Sequence, residues 1–160
     1  MTRAPAAEAQ FVTFSLGAEA FAVPVAVVRE ILDHETAFHL PDGPRYLLGL
    51  RDVRGQGVPV IDLRLRLGLP ASDITAHTRV LVLDLPLPAR LLTLGMMADR
   101  VHEVVSFRRD EIEPPPDIGR SWRSEYITGV ARRGGGFVVL LDLASLLGED
   151  DLLSLAGAAA

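Results

Sequence analysis

The sequence predicts an all-β fold built from two similar modules, and three observations carry that prediction. About ten short apolar or alternating runs, rich in Val, Leu and Ile, are punctuated by Gly, Pro and Asp roughly every 8 to 12 residues, the pattern of barrels and sandwiches. The runs lie too close together for βαβ crossovers, whose connections need about a dozen residues or more. The chain also repeats itself, without a gap, at an offset of 80 residues. Tyr46, Gly49, Gly55, Val58, Asp62, Leu63, Leu67 and Gly68 return as Tyr126, Gly129, Gly135, Val138, Asp142, Leu143, Leu147 and Gly148. That is eight identities in the 23 positions from Tyr46 to Gly68, enough to read strand, turn, strand and Leu-rich helical turn built twice. An offset of half the chain means duplicated modules rather than a solenoid, and two modules side by side imply a groove between them.

Each element follows from local chemistry. Residues 1–10 are Ala-rich and polar and are expected to form a disordered tail. Phe11 to Leu16 alternates as a half-buried strand. Gly17-Ala18-Glu19 turns the chain, and Phe21, Val23 and Val25 form the return arm, with Pro24 at an edge or a strand end. A short helical turn is expected around Ala26-Val27-Val28, then a strand through Glu30 and Ile31. Leu40 to Pro44 is a loop by its Pro-Asp-Gly-Pro chemistry. Tyr46–Val53 and Val58–Leu63 read as strands around a turn at Arg54-Gly55-Gln56-Gly57, and Arg64 to Gly68 as a helical turn with a Gly stop. Pro70 to Thr78 is a linker that sets a boundary between halves of about 11–75 and 76–150, with exchange of strands between them left open.

In the second half, Arg79–Leu85 is apolar on both faces, Pro86-Leu87-Pro88 breaks it, and Leu91–Met97 is the next strand. Val101, Glu103, Val105 and Phe107 then alternate with Arg100, His102, Val104 and Ser106. The Pro114-Pro115-Pro116 run begins a long loop to about Ser124. Tyr126–Ala131 and Phe137–Leu143 close the last hairpin across Gly134-Gly135-Gly136. A short helix starts at Ala144, and residues 151–160 form a tail.

Composition removes several function classes. The net charge is −5, whereas nucleic-acid binding usually shows as a basic patch or stripe. Without cysteine there is no disulfide, thiolate metal site or cysteine nucleophile. The N-terminus lacks a signal-peptide pattern and no apolar run nears the roughly 20 residues that span a bilayer, so a cytosolic location is expected.

The search for chemistry is largely negative. His34, His39, His77 and His102 lack metal-ligand spacing. No Gly-x-Ser-x-Gly elbow is present, and Gly134-Gly135-Gly136 lacks the frame of a phosphate loop and precedes a strand, so it reads as a hairpin turn. Asp62 and Asp142 occupy the same repeat position, where a strand meets a helical turn, and are expected to cap. Met96-Met97 is core filling. Glu30 and Arg54 stand out. Glu30 lies among Val27, Val28 and Ile31, and Arg54 at the lip of the Gly55 turn. A charge in an apolar strand must be paired or at the surface. Either both are simply solvent-facing, or they pair and flank a partner-binding patch centred on Val28.

Several segments together resemble the CheW family of chemotaxis coupling proteins. They are Phe11 to Gly17, Val28-Arg29-Glu30-Ile31, Gly49 through Arg54-Gly55 to Arg64, Asp99 to Val104, Ile112 to Pro116, and Glu125 to Gly129. The resemblance implies one domain over 11–150, of two SH3-like five-stranded β-barrel subdomains with short helical turns and a short C-terminal helix. It implies an adaptor without catalysis, metal or cofactor, either in chemotaxis or in another kinase pathway of twitching motility, surface sensing or development. Its partners would be the regulatory domain of a CheA-type histidine kinase and the cytoplasmic tip of chemoreceptors, at arrays to which it is recruited without entering the membrane. The family's contact and structural positions fall on Val28, Glu30 and Arg54, with Ile31 adding apolar contact and Gly49 and Gly55 shaping the turn. Two positions depart from the usual pattern: Asp52 stands where Asn is usual, and Arg100 where Gly follows Asp.

Overall fold

The computed structural model describes residues 8–115 and 126–147. The expected tails at 1–7 and 151–160, and the loop from Pro116 to Ser124, lie outside the described residues. The strands are β1 (Glu8–Leu16), β2 (Glu19–Pro24), β3 (Val28–Asp33), β4 (Leu47–Val53), β5 (Gln56–Asp62), β6 (Arg79–Pro86), β7 (Leu91–Ala98), β8 (Arg100–Arg108), β9 (Ile112–Glu113), β10 (Ile127–Arg133) and β11 (Gly136–Leu141). Helix α1 is Leu63–Leu67, and residues 143–147 form the matching helical turn. The fold is all-β, as the sequence predicts, in two sheets.

The boundary at residues 70–78 separates the two copies of the repeat, not the two sheets. The first sheet has the order β8-β1-β2-β11-β10-β9 and the second β3-β6-β7-β5-β4. Each contains one early hairpin, β1–β2 or β6–β7, and the second strand of that hairpin runs parallel to β11 or β5. The hairpin of each half therefore completes the sheet of the other half. The first sheet has six strands rather than five because the two-residue β9 adds to β10. In the second sheet the corresponding place is a single bridge from Phe38 to Leu50.

Burial follows the period of two. Leu81, Leu83 and Leu85 of β6 join Val12, Phe14 and Leu16 of β1, Leu92, Leu94 and Met96 of β7, and Leu141 and Leu143 in one core shared by both sheets. Val80 and Val82 face the other way and are equally buried. A smaller core of Phe11, Val105, Phe107, Val138 and Leu140 lies within the first sheet. Strand β1 is buried on both faces because it lies between these two cores.

Three local expectations are corrected. Strand β1 starts at Glu8, three residues into the expected tail, because Glu8 to Gln10 pair with Ser106 to Arg108. Val25 opens a 3-10 turn (Val25–Val27) rather than ending β2, since the strand stops at Pro24, which has no N–H to donate. The β4–β5 turn is two residues, Arg54-Gly55, not four: Gln56 already pairs with Val53.

Candidate partner-binding site

The two copies of the repeat share their backbone devices. The β4/β5 ladder slips between Leu47 and Gly49, and the β10/β11 ladder slips at the same repeat position, between Ile127 and Gly129. Both are β-bulges, where a neighbouring segment crosses tightly. A Cβ on Gly49, whose φ is 145°, would lie 2.1 Å from the carbonyl oxygen of Phe38. One on Gly129 would lie 2.4 Å from Ile112 Cγ2. The Asp62 N–H donates to the Tyr46 carbonyl (2.8 Å), and the Asp142 N–H to that of Tyr126 (2.7 Å). Both aspartates cap as expected: Asp62 Oδ1 accepts from the Arg64 N–H (3.1 Å), and Asp142 Oδ1 from the Ala144 N–H (3.2 Å).

The turns also match. Gly134-Gly135 (φ 58° and 81°) and Arg54-Gly55 (φ 54° and 84°) both have two left-handed residues, the geometry of a type I′ hairpin. Arginine is a poor choice for that position, because its Cβ crowds the backbone at positive φ. Such strain persists only where the surroundings enforce it. Here the Asp52 carboxylate accepts the Gly55 N–H at 2.8 Å and fixes the turn. Only an acceptor oxygen is used, so asparagine at this position could make the same bond. Arg54 Nη2 donates to Glu30 Oε1 of β3 at 2.9 Å. Arg54 remains 80% exposed while Glu30 is only 18% exposed.

That ion pair belongs to a seam. Strands β3 and β4 are the two edges of the second sheet, and side chains draw them together. Arg51, nearly buried, donates to the Asp33 carbonyl (2.5 Å) and to Glu35 (2.8 Å). Arg54 reaches Glu30, and Arg29 reaches Gln56 (3.4 Å). The first sheet carries a counterpart: Arg133, just before its turn, pairs with Glu103 of the edge strand β8. The Arg133 guanidinium, through its hydrogen bond and charge, holds the Glu103 carboxyl below the usual carboxylate value.

The structure brings some of the expected site residues together and separates others. Glu30 and Arg54 are paired and Gly55 is beside them. Val28 is half-buried against the shared core, whereas Ile31 is 43% exposed. Gly49 does not shape the turn; it is in β4 at the bulge, against Phe38. Two clefts among the described residues are each lined from one sheet. One of about 660 Å³ is lined by first-sheet residues, among them Thr13, Glu103, Arg133 and Phe137, together with the β1–β2 and β10–β11 turns. Another, of about 200 Å³, lies over Leu48, Val60 and Met97 of the second sheet.

A second charged cluster was not singled out in the sequence. Arg64, on α1, is buried and donates to Asp62 (3.2 Å) and Asp99 (2.7 Å). Asp99 also accepts from the Gly17 N–H (2.5 Å) and the Ser72 hydroxyl (3.2 Å), so it ties α1, the β1–β2 turn and the 70–78 segment together. The sequence signal was available: Arg64 has no charged counterpart at Ala144, the equivalent position of the second copy.

Comparison with known proteins decides the family, since residues 10–151 match the CheW-like domain. The chain belongs to the CheW family. The chemotaxis protein CheW of Treponema pallidum is 29% identical over 147 residues, covering 92% of this chain and 86% of that protein. The chemotaxis protein CheW of Klebsiella aerogenes is 27% identical over 143 residues, covering 89% and 84%. The crystal structure of the scaffolding protein TtCheW from Thermoanaerobacter tengcongensis superposes with a TM-score of 0.78 at 25% identity, over 89% of this chain and 90% of that one. The paired sheets are thus those of the CheW fold. Among the described residues no helix is long and apolar enough to cross a membrane.

Proposed function

We propose that this chain is a chemotaxis adaptor that couples chemoreceptors to a CheA-type histidine kinase and makes or breaks no covalent bond itself. The observation that carries the reading is Arg54, held in a strained backbone conformation and pinned to Glu30 while most of its surface stays open to a partner. Membership of the CheW family supplies the partner classes. The receptor tip, an antiparallel helical hairpin, docks an apolar stripe along β3 beside Val28 and Ile31 in the helix-in-groove mode. Glu30 and Arg54 fix its register and reject mismatched helices by charge. The kinase regulatory domain joins at barrel ends, like to like. Patches of about 800 Å² per partner or less give reversible contacts that gain strength from multivalency at a cytoplasmic receptor array. Signal passes as a shift of population between kinase-on and kinase-off arrangements. The chemotaxis proteins among its relatives favour this pathway over another kinase system.

The test is binding of Arg54→Ala to a soluble receptor-tip fragment and to the kinase regulatory domain from the same genome. Weakened receptor binding by a folded variant is expected. Wild-type affinity for both partners would overturn the reading, and an insoluble variant would make the Glu30–Arg54 pair structural.

A further inference from the structure

Arg29 precedes Glu30 and makes more polar contacts than any other side chain of β3. The β3/β6 ladder slips between Val28 and Glu30, so Arg29 is the extra residue of a bulge, and bulges re-aim side chains. Its guanidinium forks onto Asp84 of β6, with Nε 3.0 Å from Oδ2 and Nη2 2.9 Å from Oδ1. Nη2 also donates to the hydroxyl of buried Thr93 on β7 (3.3 Å), which in turn donates to Asp84 Oδ1 (2.8 Å). Asp84 and Thr93 are cross-strand partners, so this end of Arg29 is fixed to the β6–β7 hairpin. The remaining nitrogen, Nη1, reaches Gln56 Oε1, one residue beyond the Arg54-Gly55 turn.

Two successive residues of β3 therefore hold the turn from either side: residue 29 reaches 56, and residue 54 reaches back to 30. We infer that Arg29 is a positioning residue that orients the β4–β5 turn, and with it Arg54, for the receptor contact. This rests on the reading of Arg54 given above. Arginine suits the task because its planar fork can hold Asp84 through two atoms while the third reaches away; lysine has one nitrogen and cannot do both. Gln56 is exposed, and its removal cuts the link while leaving the Asp84–Thr93 anchor intact.

A double-mutant cycle on the receptor-tip fragment tests this. Arg29→Ala and Gln56→Ala should each weaken binding roughly threefold to tenfold, the size of one net hydrogen bond. In an Arg54→Ala background the same changes should have an effect below about twofold. Arg29→Lys should behave as Arg29→Ala, and affinity for the kinase regulatory domain should not change. Equal losses in both backgrounds, or no loss in the folded Gln56→Ala variant, would overturn the assignment. A partner-free measurement separates its failure from failure of the receptor reading. The 15N heteronuclear NOE of the Arg54 and Gly55 amides should fall in Gln56→Ala and Arg29→Ala. A turn that stays as rigid as wild type overturns the positioning role whatever the receptor does.

Discussion

The hairpins that begin at Tyr46 and Tyr126 share a bulge glycine, a two-residue left-handed turn and a capping aspartate, but differ in where their charges sit. The second copy fills its turn with Gly134-Gly135, the residues that the backbone prefers, and takes its edge-joining arginine from the strand, at Arg133. The first copy moves the arginine into the turn and accepts the strain. It also buries Arg64 where the second copy has Ala144. Shared features are those the fold requires, and the differences mark where one copy carries something else. On this comparison the Arg54 turn is where the first copy departs most from what the backbone prefers.

Mutation should separate the two copies further. The largest effect is expected at the bulge. Gly49→Ala puts a Cβ against a carbonyl at positive φ and should cost roughly 3–4 kcal/mol, whereas Gly129→Ala meets mainly an Ile112 methyl group that can shift and should cost about 1–2. Urea denaturation midpoints would show it, and equal costs would mean the two bulges are under the same constraint. Next, Arg64→Ala makes the first copy resemble the second but leaves the Asp62 and Asp99 carboxylates short of a buried cation. A loss of about 3 kcal/mol in the same assay is expected.

Arg54→Gly should act in the opposite direction. Relief of the left-handed arginine should stabilise the chain by about 1 kcal/mol, offset in part by the loss of its ion pair to the mostly buried Glu30, while receptor binding falls. A variant that is both less stable and fully binding would remove the case for specialisation. The smallest effect is expected at Glu103. Its carboxyl is held below its ordinary value in the folded state, so its contribution is present above the ordinary carboxylate pKa of about 4.3 and is lost as pH falls through the lower folded value. Stability measured from pH 6 to pH 3 should decline slightly less steeply in Glu103→Gln than in wild type.

Much of this was legible in the sequence. Alternation in Phe11 to Leu16, the Gly turns and the prolines locate the strands, because these are local effects of side-chain period and backbone freedom, although the start of β1, the end of β2 and the start of β5 lie one to three residues from where they are expected. The offset repeat revealed two modules. It could not reveal that β1–β2 pairs with β8 and β11, since a repeat reports contiguous segments, whereas pairing is a tertiary choice. At the site, Glu30 was conspicuous as a charge among Val27, Val28 and Ile31. Arg29, Asp84, Thr93 and Gln56 were not, because four ordinary surface types spread over four strands acquire meaning only when the sheet assembles. The resemblance places Gly49 with Gly55 at the turn; the crossing of Phe38 that demands a glycine there is seen only in three dimensions.

The crossed assembly of the sheets also dictates an order of events during synthesis. The β1–β2 hairpin leaves the ribosome before every other strand of the two sheets described, yet β8 and β11, the strands that flank it, follow only after β3 to β7. Until then its two edges have no permanent neighbours, and such long-range closure is slow. The nascent chain must shelter that hairpin until β11 emerges, and a fragment ending near residue 75 would hold two half-built sheets rather than one finished barrel.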